Sequence, residues 1–237
     1  MNNYIDTHLH LDLIENIEKT LQYIEQKQIY TIAVTNHPKV FEGLMGKINS
    51  KFVRIALGMH PELVDKANMN LFKELVISTK YIGEIGFDFS NKGMAQNKKQ
   101  KQIKIFEDIL LFSKKKLFSI HSRDAENEVL NSINMHFDKT SHYILHWYTG
   151  SKTNLLKAIE LGCYFSVNIS MLKTKKFLEL LPYIPKDKLL IETDAPFSKG
   201  SVFTIKEAYS QLAECLEMPL TDVEILVFEN FRKALTL

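Results

Sequence analysis

The sequence predicts an α/β protein built as a single (β/α)8 barrel. Two observations carry this expectation. Eight short apolar, β-branched runs alternate with amphipathic helical patterns along the 237 residues, which implies a parallel sheet covered by helices. The runs also recur at near-regular spacing, and eight strands closed on themselves leave no edge exposed. An open doubly wound sheet is the alternative. With 45% hydrophobic residues the chain can bury a full core. No Pro- or Gly-rich linker, repeat or low-complexity tract divides it, so one domain over residues 1–237 is expected.

In chain order, strands are expected at 4–8, 31–35, 53–58, 81–85, 117–121, 143–146, 164–168 and 189–193. After the first strand, Ile14, Ile17, Leu21 and Ile24 repeat at helical spacing, with Glu and Lys elsewhere. Further helices are expected at about 71–79, 100–115, 126–135, 152–161 and 174–181. Pro182 and Pro185 mark a stop before the eighth strand. Two helices, 204–216 and 221–235, follow it on either side of Pro219.

Composition narrows the setting. Cys163 and Cys215 match no zinc or redox spacing, so reduced thiols in a cytoplasmic protein are expected. No apolar run approaches the roughly 18 residues of a membrane span, and candidate ligands from position 6 onward leave no room for a cleaved leader. A net charge of +2 does not by itself indicate a nucleic-acid partner.

The reactive residues fall where such a barrel keeps its active site, at the C-terminal strand ends. His8 and His10, two apart on the first strand, share a face. Glu84 lies near the end of the fourth strand, His121 and His146 end the fifth and sixth, and Asp194 ends the eighth. Each signal is weak alone, but together they deliver six N/O donors to one rim. Without thiolates, that set suits two divalent ions such as Mg²⁺, Mn²⁺ or Zn²⁺, with Glu84 placed to bridge them. Asp194 is expected to serve also as a proton acceptor. His60 could be core, ligand or substrate contact, and substrate contact is favoured. His37 is expected to hold a loop, His142 to be structural at the far end of its strand, and His136 to face solvent.

Lys92, Lys98, Lys99, Lys101 and Lys104 cluster beside Glu84, and Phe87, Phe89, Trp147, Tyr148 and Phe197 fall in rim loops. A basic funnel with aromatic platforms suits single-stranded nucleic acid. The plainer alternative is a solvated helix start with aromatics packed over the barrel mouth.

Asp-Thr-His-x-His, Gly-x-His-Pro, Gly-Glu-Ile-Gly-x-Asp, Ile-His-Ser-Arg-Asp-Ala, His-x-x-Thr-Gly and Glu-Thr-Asp-Ala-Pro occur in that order. This series resembles the TatD family of metal-dependent deoxyribonucleases, over nearly the whole chain. The resemblance implies a TIM-type barrel of the amidohydrolase superfamily that degrades single-stranded DNA, with RNA or abasic-site activity in some members. It implies that His8, His10, Glu84 and Asp194 hold one ion and Glu84, His121 and His146 the other. His60 and Arg123 would face the substrate phosphate; apart from the resemblance, Lys98, Lys99, Trp147 and Tyr148 of the basic and aromatic cluster are expected as further substrate contacts. Glu62 stands where the family usually has a second His, Trp147 replaces a small residue, Ile109 replaces a Gln, and the Arg-Asn-Glu-Pro loop after the eighth strand is missing. Short, divergent relatives of this kind resemble TatD-type nucleases of anti-phage gene clusters, which would make other defence proteins its partners. The alternatives are a metallohydrolase of another ester or amide, such as an aminoacyl-tRNA deacylase, and a barrel subunit of a larger complex with little activity of its own.

Overall fold

All eight expected strands form, and every pairing is parallel. The computed structural model describes residues 4–236. Strands and helices alternate as β1 (Ile5–Leu9), α1 (Ile17–Lys27), β2 (Tyr30–Ala33), α2 (Pro38–Met45), β3 (Val53–Ile55), α3 (Met69–Leu75), β4 (Tyr81–Asp88) and α4 (Gln96–Phe112). There follow β5 (Leu117–Arg123), α5 (Glu126–Met135), β6 (His142–His146), α6 (Lys152–Glu160), β7 (Tyr164–Val167), α7 (Lys175–Leu180), β8 (Leu189–Ile191), α8 (Ile205–Cys215) and α9 (Leu220–Ala234).

The strands make two sheets, β1-β2-β3 and β4-β5-β6-β7-β8, where one continuous ladder was expected. The ladder lapses because β3 and β8 are only three residues long. Backbone hydrogen bonds still cross both gaps. On one side Leu57 bridges Ile82, Thr35 N–H donates to Gly83 O (3.1 Å) and Glu84 N–H donates to Thr35 O (2.9 Å). On the other, Asp194 N–H donates to His8 O (2.8 Å) and His10 N–H to Ala195 O (3.1 Å). These crossings bring Glu84 and Asp194, from opposite gaps, towards His8 and His10.

Local chemistry explains the helix starts. Asn16, Asn68, Ser151 and Thr174 each accept a backbone N–H from the first turn, capping α1, α3, α6 and α7. Helix α2 went unseen in the sequence: it is eight residues long, contains Gly43, and starts with Pro38 at its first position. His37 caps it, its Nδ1 accepting from Lys39 N–H while Nε2 lies 3.0 Å from Lys66 O. Its loop-holding role is thereby accounted for. Helix α4 buries Ile105, Phe106, Ile109 and Leu110 against the sheet, each fully buried side chain contributing roughly 1.5–3 kcal/mol. Among the described residues no helix is long and apolar enough to cross a membrane, and Cys163 and Cys215 are free thiols.

Candidate metal centre

The six donors expected from the sequence converge, and they divide into two groups. His8, His10, Glu84, His146 and Asp194 are buried, while His121 is half-buried. His8 Nε2 and His10 Nε2 stand 3.2 Å apart. Each faces Glu84 Oε2 (3.7 and 3.4 Å) and Asp194 Oδ1 (3.7 and 3.4 Å). Four donors held tetrahedrally at about 2.0–2.2 Å from an ion stand about 3.3–3.6 Å from one another, so this spacing fits one. Asp194 Oδ1 is buried and has no hydrogen-bond partner among the described residues, a costly state that a cation would relieve.

The second group surrounds the other oxygen of the same carboxylate. Glu84 Oε1 lies 2.7 Å from His121 Nδ1, 2.9 Å from His146 Nε2 and 3.6 Å from His60 Nε2. His60, expected to contact substrate, thus stands among the potential ligands. His60, Glu84 and His121 form one set close enough to share an ion; His8, His10 and Asp194 form another, and His8, His146 and Glu192 a third.

Charge in this cluster is mutually adjusted. Burial works against ionisation of Glu84, but the charges of His60 and His146 and the hydrogen bond of His121 hold its carboxyl well below the usual range. Burial opposes protonation of His146 too, yet Glu84 and Glu192 hold it well above its ordinary value. Burial, reinforced by the nearby His146, pushes His8 down, which leaves its ring neutral.

A layer of groups that sequence reasoning missed orients these rings. Asp88 Oδ2 lies 3.0 Å from His121 Nε2, and Asp88 is itself fixed by Ser90 and by Gln102, whose Oε1 accepts Asp88 N–H. Glu192 Oε1 lies 3.6 Å from His146 Nδ1 and accepts from Asn168 Nδ2 (3.0 Å) and Trp147 N–H (3.1 Å), while Oε2 accepts from Ser166 Oγ. Ser119 Oγ is 2.8 Å from His8 Nδ1. Carboxylates behind metal-binding imidazoles fix tautomer and ring direction. The sequence shows only that Asp88 follows Glu84 by four residues and Glu192 precedes Asp194 by two, not which imidazole either would meet.

The substrate-side expectations fare less evenly. Lys98 and Lys101 pair with Asp65 (3.6 and 3.2 Å), Lys92 with Asp124 (2.8 Å) and Lys104 with Asp108 (3.2 Å). Carboxylates therefore neutralise much of the supposed basic funnel, and Lys99 lies over the Phe89 ring. Tyr148 is only 1% exposed and cannot serve as a platform: its hydroxyl donates to Ser151 O (2.9 Å). Gly150 permits this turn, since a Cβ there would stand 2.3 Å from the Tyr148 hydroxyl. Phe87 and Phe89 are buried as well. Arg123 is exposed at the end of β5, and Trp147 is half-buried at φ 39°. His142 is structural, its Nε2 3.2 Å from Thr236 O, and His136 is half-buried where solvent exposure was expected.

Residues 5–236 match the family described as TatD related DNase. The chain belongs to that family. The uncharacterized metal-dependent hydrolase YabD of Bacillus subtilis is 26% identical to it, with 96% of this chain and 97% of that protein aligned. The 3'-5' ssDNA/RNA exonuclease TatD of Citrobacter koseri is 32% identical over 54% of this chain and 50% of its own length. The TatD homolog YJJV of Escherichia coli has the same fold, with a TM-score of 0.84 at 19% identity, covering 99% of this chain and 98% of that one. This TatD-family chain is a metal-dependent hydrolase whose donor clusters suit divalent ions.

Proposed function

We propose that this protein is a nuclease hydrolysing phosphodiester bonds in single-stranded DNA with two divalent ions, Mg²⁺, Mn²⁺ or Zn²⁺. One observation carries the two-ion reading: the two oxygens of Glu84 face separate donor groups, as a bridging carboxylate must. His8, His10 and Asp194 would complete one site, and His121 and His146, with His60 close by, the other. A single-stranded substrate is supported by the ssDNA/RNA exonuclease relative, and DNA also by the family's description. The whole chain acts as one domain in this reading, its two sheets joined through both gaps as a closed barrel. A part in anti-phage defence rests on the resemblance of short, divergent relatives alone.

When bound, the two ions would polarise an attacking water and neutralise charge on the phosphodiester. The remaining work falls to the chain. The Asp194 carboxylate, whose Oδ1 has no hydrogen-bond partner among the described residues, accepts the proton released by the attacking water and passes it to the departing oxygen. Asp88 and Glu192 hold the His121 and His146 rings so that Nδ1 and Nε2, respectively, point at Glu84. Arg123, exposed at the rim, meets the flanking phosphate.

The test is purified protein with Mg²⁺ or Mn²⁺ against labelled single-stranded DNA, duplex DNA, RNA and charged tRNA. The single strand should be degraded fastest and chelation should stop it. Release of amino acid from charged tRNA with intact DNA would move the activity to another ester.

A further inference from the structure

The aromatic rim expected from the sequence has mostly turned inward. Phe87, Phe89 and Tyr148 are buried. Trp147 is half-buried, and Phe197, three residues after Asp194, is 60% exposed. Its position is nonetheless well fixed. Phe197 N–H donates to Asp194 O at 2.8 Å, and the next residue donates to the same carbonyl at 3.1 Å. Its ring meets His10 at right angles, centroids 4.9 Å apart. A large apolar surface is therefore held against water beside the His10 ring, on the turn that begins at Asp194. The lysines that would otherwise grip a polyanion are largely paired with carboxylates.

We propose that Phe197 is the platform on which a nucleobase next to the cleaved phosphodiester stacks. This inference rests on the nuclease reading above and deepens it. A base can lie on Phe197 only after it leaves its neighbour and its pairing partner, so the site selects flexible single-stranded ends and rejects base-paired ones. Every base has a π-face, so this grip does not discriminate sequence.

The experiment measures binding and turnover of wild type, Phe197→Ala and Phe197→Tyr on two single-stranded oligodeoxynucleotides. One carries all its bases; the other carries abasic residues at the three positions nearest each end. Phe197→Ala should weaken binding or raise KM about ten-fold or more on the first strand and less than about two-fold on the second. Phe197→Tyr should restore near-normal binding. Mn²⁺ stoichiometry, read by titration calorimetry, should be the same in all three proteins, which a merely structural role would not guarantee. Equal loss on both strands, or no loss on either, overturns the platform and leaves the nuclease reading standing. Failure of wild type to bind or cleave either strand overturns both.

Discussion

Asp194 occupies the left-handed region at φ 49°, which Asp tolerates better than most residues. That conformation lets its carbonyl hold Phe197 N–H while Oδ1 faces the two histidines. Asp194→Asn keeps the shape but removes the base, so turnover should fall at least about 10²-fold. Near-normal kcat, with folding and metal content unchanged, would remove Asp194 from the proton path. Glu192 offers a different test, because Trp147, whose N–H it accepts, is the sole tryptophan. Glu192→Gln should weaken divalent-ion binding by roughly ten- to a hundred-fold and shift tryptophan emission, with the oligonucleotide KM measured at saturating metal little changed. An unaltered Mn²⁺ titration would show that Glu192 only packs the core. The six candidate ligands were legible because strand ends and two-residue alternation are written in sequence. Asp88 and Glu192 were not, since only the fold reveals which carboxylate ends up behind which imidazole.

At the scale of elements, β4 and β5 carry Glu84, Asp88 and His121, and their junction has no slack. Gly86 sits at φ 135°, and a Cβ there would stand 2.0 Å from His121 O. Gly86→Ala should therefore cost at least about 2 kcal/mol, seen as a lower urea midpoint together with lost activity. A wild-type midpoint would mean the two strands can part without harm. The turn between α5 and β6 supplies an acid-sensitive contact. Burial works against ionisation of Asp138, but hydrogen bonds from Ser141, Thr140 and the Thr140 and Lys115 N–H groups overcome it and hold its pKa at about 2. Because the folded value lies below the unfolded one, this stability is present above about pH 4 and is lost as pH falls through about 2. In Asp138→Asn that part of the acid dependence should vanish between those limits in a pH series of denaturation midpoints. Identical curves would deny the turn any such role. Turns like this, and the inward rotation of Tyr148, depend on local backbone geometry that apolar periodicity does not encode. The strands themselves were plain from their β-branched runs.

For the molecule as a whole, charge should contribute less to substrate capture than the lysine count suggests. With Lys98 and Lys101 held by Asp65, replacing Lys98, Lys99 and Lys101 by Gln should alter the log–log salt slope by less than the roughly 0.7 that one phosphate contact contributes on a single strand. A change of two or more would restore the basic funnel as the main grip. The sequence could not foretell this pairing, because Asp65 lies far along the chain from the lysines it meets.

The bonds joining the first strand to the eighth also set an order in time. Asp6 accepts from Thr193, 187 residues later, and Asp194 donates to the carbonyl of His8. At roughly 5–20 residues per second a ribosome delivers Thr193 and Asp194 some 10–40 s after Asp6 and His8. Throughout that interval the nascent chain carries its paired histidines without Asp194, one of the two carboxylates that face them. The candidate metal centre therefore cannot be completed before the segment that follows the eighth strand has been made.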